Sequence, residues 1–169
     1  MGFHEDRIDA DGHGTSHGIR VEGAASNITI LNPTIEWVTR PSGRSFGDGI
    51  SVLGWPSDSP PPPGWTGSTG TVQYVTITNA HVVDAPQTGA VIMGASDVTV
   101  TDFTAEGTLA DGLHVNASRR VSIDGLNAVD TGDDGLAFVT YYHPTQIWTY
   151  GPTDGPFNQS GLGEWNNSG

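Results

Sequence analysis

The sequence predicts an all-β chain wound as a parallel β-helix, a solenoid of about five coils of roughly 23 residues with three short strands each. Three observations predict it. Short apolar runs opened by glycine recur as "GIRV", "GISV", "GAVIM", "GLHV" and "GLAF", the last three starting 23 residues apart. A second series, "NITILN", "YVTITN", "DVTVTD" and "RVSIDG", keeps the same spacing, with Val75, Val98 and Val121 in register. Both series alternate with period two, as a strand with one buried face does.

Each element follows from that register. Ile28, Ile30, Val75, Ile77, Val98, Val100, Val121 and Ile123 take the inward phase, and Thr29, Thr76, Thr99 and Ser122 the outward one. A third run, "PTI", "AHV", "FTA" and "LNA", directs Phe103, Ala105, Leu126 and Ala128 inward. Asn32, Asn79 and Asp102 share one turn position, with Gly125 in the next repeat; these residue types tolerate a left-handed backbone.

The chain reads as one domain over 1–169: a polar cap or lead-in at 1–16, coils over 17–140, and an irregular tail or loop at 141–169. Two repeats are longer than 23. One holds "VTRPSGRSF"; the other holds the proline-rich loop at 54–70, which carries Trp55 and Trp65 and which proline keeps out of the sheet.

Composition narrows the partners. A formal net charge of −13, with arginine the only basic residue type apart from histidine, opposes binding to nucleic acid or to an anionic membrane. Cysteine is absent, which removes disulfide and thiolate chemistry. The sequence begins without the apolar stretch of a signal peptide, and no apolar run reaches the length of a membrane span. The oligomeric state is not encoded in any feature of the sequence.

The repeat also places acids. The residue before each strand-opening glycine is His17, Asp48, Thr88, Asp111 and Asp134, so Asp111 and Asp134 become neighbours with Asp133 beside them. His114 and Arg20 take the outward phase of their strands. Carboxylates this close disfavour joint ionisation, and one protonated and one ionised carboxyl is what glycosidic hydrolysis uses. Asp48 also fits an ordinary Asp-Gly turn, and clustered aspartates also suit a hard cation. His4, His13 and His17 near the start match no defined transition-metal spacing and read as part of a polar cap.

At "LADGLHV" followed by "TGDDGLAF" the chain resembles the polygalacturonase family, glycoside hydrolase family 28, within the pectin-lyase-like right-handed parallel β-helix superfamily. The specific match covers about 30 residues and the coil pattern about 120. The resemblance implies a secreted, extracellular polysaccharide hydrolase without a cofactor. It makes Asp111, Asp133 and Asp134 catalytic, with Asp134 the general acid and the other two positioning or activating water. His114 stands where the family has a further aspartate and is counted with the catalytic group, and Leu109-Ala110 replaces its Asn-Thr. The family's Gly-His-Gly does not follow Asp134, leaving His143 in "YYHP" as a replacement, and its Arg-Ile-Lys segment is absent. With this charge, polyanionic pectin is not the expected substrate.

Trp55, Trp65, Arg20, Asp48, Tyr142 and His143 are the candidates for substrate contact, the tryptophans as stacking surfaces for sugar rings. Two other readings remain at this point. One is a non-catalytic carbohydrate-binding or adhesive module of tailspike-like type. The other is a calcium-dependent polysaccharide lyase, for which the available bases would be Arg20, Arg119 or Arg120.

Overall fold

The computed structural model describes residues 2–5, 8–55 and 68–140. These form twelve strands and no helix: β1 (Gly2–Glu5), β2 (Ile19–Glu22), β3 (Ala25–Leu31), β4 (Thr34–Trp37), β5 (Ile50–Leu53), β6 (Val72–Thr78), β7 (His81–Val83), β8 (Ala90–Met93), β9 (Ala95–Glu106), β10 (Leu113–Asn116), β11 (Arg119–Val129) and β12 (Leu136–Val139). The strands fall into two sheets. One has five strands in the order β12-β10-β8-β5-β2; the other has seven in the order β1-β4-β7-β9-β6-β3, with β11 paired to β9. Every strand pair is parallel.

This corrects the expected right-handed parallel β-helix with three short strands per coil. The described strands make two sheets rather than three faces, with one short strand and one strand of 12 or 11 residues in the later repeats. The physical reason lies at the turn column. Asp102 and Gly125 have φ of 51° and 72° but sit inside β9 and β11, so the chain bends there without leaving the ladder. Asn32 and Asn79 donate their backbone N–H to Thr78 and Thr101, each at 2.9 Å, and Asn79 Nδ2 donates to Asn32 Oδ1 at 2.8 Å. What was read as two strands is one bent ladder.

The 23-residue register itself governs pairing in the later repeats: Leu113 sits between Ala90 and Leu136, and Val98 between Val75 and Val121. The inward column is buried, with Val75, Ile77, Val98, Val100 and Phe103 almost completely so. Burial weakens in β11, where Val121, Ile123 and Leu126 pack against the core while partly exposed. A second apolar cluster of Leu53, Trp55, Val91, Met93 and Ala117 covers part of the other face of the five-stranded sheet.

The strand-opening glycines stack. A Cβ added to Gly18, Gly49, Gly89 or Gly112 would lie 2.4–2.7 Å from the carbonyl oxygen of the next glycine in the column. That contact is shorter than any side chain tolerates, so this corner admits glycine alone.

On the outer surface Arg120 bridges to the preceding repeat, its Nε and Nη2 donating to the two carboxylate oxygens of Asp97 at 2.6 and 2.7 Å. This hydrogen bond holds the Asp97 carboxyl below its ordinary 3.8. The unfolded chain then binds a proton more readily than the folded one, so stability from the pair is fully present above the ordinary value. It is lost as pH falls through the lowered one. Arg120→Gln is therefore expected to lose stability in urea titrations at about pH 6 and to approach the parent at a pH well below the ordinary carboxylate value. A gap unchanged between the two conditions would show that the pair contributes nothing through ionisation.

Candidate functional site

The acids collect where strand-opening turns stack. Gly132 donates its N–H to the carbonyl of Thr108 at 2.8 Å, and Gly112 donates to that of Asp134 at 2.8 Å. This sets the 131–134 turn directly on the 108–111 turn. One carboxylate oxygen from each of Asp111, Asp133 and Asp134 then lies within 4.8 Å of the others. The three residues do not share an environment. Asp111 is 4% exposed, whereas Asp133 and Asp134 face solvent.

Asp111 has both oxygens engaged. Oδ1 accepts the backbone N–H of Asp134 at 3.1 Å, and Oδ2 meets His114 Nδ1 at 2.5 Å. His114, expected on an open outer surface, is instead 2% exposed. It does lie opposite the inward Leu113 and Val115, paired with Val91, but that side of the sheet is covered. It therefore orients Asp111 and presents no ring to solvent.

Asp133 has a partner that the repeat alone does not reveal. Arg44 Nη1 lies 3.3 Å from Asp133 Oδ2, and Arg44 Nε donates to Gln87 Oε1 at 3.1 Å. Arg44 comes from the segment whose length breaks the repeat between Gly18 and Gly49. That segment stacks on the same turn column: Ser45 donates to the carbonyl of Pro86 at 2.9 Å and Gln87 to that of Gly47 at 3.1 Å. The position of the extra residues, next to the turn that precedes a strand-opening glycine, was the available signal.

The remaining candidates lie elsewhere. Asp48 is buried; its Oδ1 accepts the N–H of Thr88 at 3.2 Å and its Oδ2 is 3.1 Å from His17 Nδ1. The Asp48 N–H also points at that Nδ1, at 3.1 Å. It is an internal brace rather than a substrate contact. Trp55 is likewise corrected: it is 4% exposed, donates its indole N–H to the carbonyl of Ser68 at 3.1 Å, and has no face open to a sugar ring. Packing with Leu53, Val91, Met93 and Ala117 removes the indole's apolar surface from water. Arg20 is exposed and paired with Glu22 at 2.7 Å. Trp65, Tyr142, His143, most of the proline-rich loop (56–67) and the tail at 141–169 lie outside the described residues.

Asp9, Asp11 and His13 form another close group, in a turn where Asp9 Oδ1 accepts the N–H groups of Asp11 and His13 at 3.0 and 2.9 Å. Among the described residues no helix is long and apolar enough to cross a membrane. No family model, no curated protein and no solved structure matches the chain.

Proposed function

We propose that the protein is a polysaccharide-degrading glycoside hydrolase working by general acid–base catalysis at Asp111, Asp133 and Asp134. The observation that carries the reading is the convergence of three carboxylates of unequal environment: one buried and braced, two solvent-facing and adjacent. In the inverting route to glycosidic hydrolysis one carboxyl gives a proton to the leaving oxygen and another takes one from water. Asp134 serves as the acid. Asp133, with Arg44 beside it, serves as the base that activates water. Asp111 is a positioning residue, holding the Asp134 backbone through Oδ1. Water enters freely at the exposed pair, and the scheme uses no cofactor.

Reducing-sugar release from a panel of neutral and acidic polysaccharides tests this. Asp134→Asn is expected to lose at least about a hundredfold in rate, the usual contribution of a positioned proton donor. Equal release by the variant, or none by the folded parent on any substrate, would overturn the reading.

One observation favours a second reading, a carbohydrate-binding module without catalysis. Asp48 also accepts a backbone N–H from the next repeat and meets a histidine, His17 of the preceding repeat, and among the described residues no acid pair stands beside it, so an Asp–His brace is also a device of the fold. Glycan binding that survives Asp134→Asn, with no product formed by the folded parent on any substrate, would select it.

A further inference from the structure

The outer surface of the seven-stranded sheet carries an open depression of about 490 Å³ that shares no residue with the aspartate cluster. Two parallel rows line it. Asn27, Tyr74, Asp97 and Arg120 occupy equivalent positions at the strand entry, each with a left-handed backbone, φ 57°, 57°, 56° and 52°. Two residues on, Thr29, Thr76 and Thr99 pair across β3, β6 and β9. Their outward side chains therefore repeat at the strand spacing, about 4.8 Å.

Tyr74 and Arg120 are the two residues of this row that a left-handed backbone does not suit, and Arg120 is engaged with Asp97. A bulky aromatic in the left-handed region is strained, and Asn27 and Asp97 show the residue types that take this position at low cost. The fold gains only part of the ring's area in return, because Tyr74 is 53% exposed. Strain kept at a site with so small a packing return points to a use for the ring itself.

The surroundings define that use. Beside the ring stand hydroxyl groups and a planar Asp97–Arg120 pair fixed by two hydrogen bonds, while large apolar area is missing. An exposed aromatic face ringed by rigid polar groups matches a pyranose, which has an apolar face and an equatorial rim of hydroxyls. Among the described residues lining the depression the one cation, Arg120, already spends two donors on Asp97, and the chain carries −13 overall, so an acidic sugar finds no compensating charge there.

We propose that this strip is a binding surface for a neutral glycan chain, lying across the strands with one sugar ring stacked on Tyr74 and its hydroxyls bonded by the threonine row and the Asp97–Arg120 pair. The surface acts independently of hydrolysis at the aspartates.

Affinity electrophoresis of the full chain through gels containing soluble glucan, mannan, xylan or polygalacturonate tests the proposal. Retardation is expected by at least one neutral glycan and not by polygalacturonate. Tyr74→Asn, which supplies the residue found at the equivalent Asn27, should fold with an unchanged or raised Tm and weaken that retardation about tenfold. Thr99→Val, which keeps the branched shape, should weaken it less, and Asp134→Asn should leave it intact. Absence of retardation by every neutral glycan, retardation by polygalacturonate alone, or full retention of binding in Tyr74→Asn would each overturn it.

Discussion

Gly89→Ala is expected to destabilise the protein by about 3 kcal/mol or more, enough to abolish folding at modest temperature. The substitution usually works the other way. Where the backbone permits it, replacing glycine by alanine stabilises by about 0.4–1 kcal/mol, because the unfolded chain loses freedom. Gly89 has no left-handed φ, so the backbone raises no objection. Space decides instead. The new Cβ would lie 2.4 Å from the carbonyl oxygen of Gly112 and 2.7 Å from the Ala105 Cβ, one a backbone atom in the stacked turn and the other a core methyl. Neither can withdraw without shifting a repeat against its neighbour. Gly135→Ala is the matched control: its nearest contact would be the Ala128 Cβ at 3.4 Å, and its stability should stay within about 0.5 kcal/mol of the parent. Urea unfolding of the two variants side by side tests the close approach, and equal stabilities would refute it.

That glycine column shows what sequence reading delivers here. Position in the repeat was readable because one geometric demand recurs every turn and leaves the same residue behind. The same holds for the inward valines and isoleucines and for the Asn32, Asn79, Asp102 and Gly125 corner, all of which occupy the places their spacing assigns. Whether a corner ends a strand was not readable, since a residue with positive φ can either break a ladder or bend it. The expectation of three faces per repeat failed on that ambiguity. For the candidate site, the convergence of Asp111, Asp133 and Asp134 came directly from register. Burial did not. His114 is expected on open surface because alternation tells which side of a sheet a residue takes, not whether that side is covered, and Trp55 because it stands at the start of a proline-rich loop that register does not place. Arg44 lay in the segment that breaks the repeat, where register assigns no position at all.

Asp111→Ala is expected to cost about 3–5 kcal/mol, roughly 10 °C or more in Tm for a chain of this size. The alanine would leave two groups without their acceptor: the part-buried backbone N–H of Asp134 and the buried His114 Nδ1. Each buried polar group stripped of its partner costs about 1–3 kcal/mol, and the methyl fills none of the vacated volume. Asp111→Asn should cost far less, about 1 kcal/mol, because its amide oxygen still accepts from Asp134 and its amide N–H can donate to an imidazole carrying its proton on Nε2. Asp48 supplies the comparison that separates fold from chemistry. It accepts the N–H of Thr88 as Asp111 accepts that of Asp134, and it too meets a histidine, but among the described residues no exposed acid pair stands at its side. Asp48→Ala should therefore unfold at a similarly lowered urea midpoint. If Asp111 positions the acid of a hydrolytic site, Asp111→Asn will release sugar more slowly than Asp48→Asn when both are assayed well below their unfolding transitions. Equal rates in those two variants would reduce Asp111 to the same brace as Asp48 and leave catalysis, if present, to Asp133 and Asp134 alone.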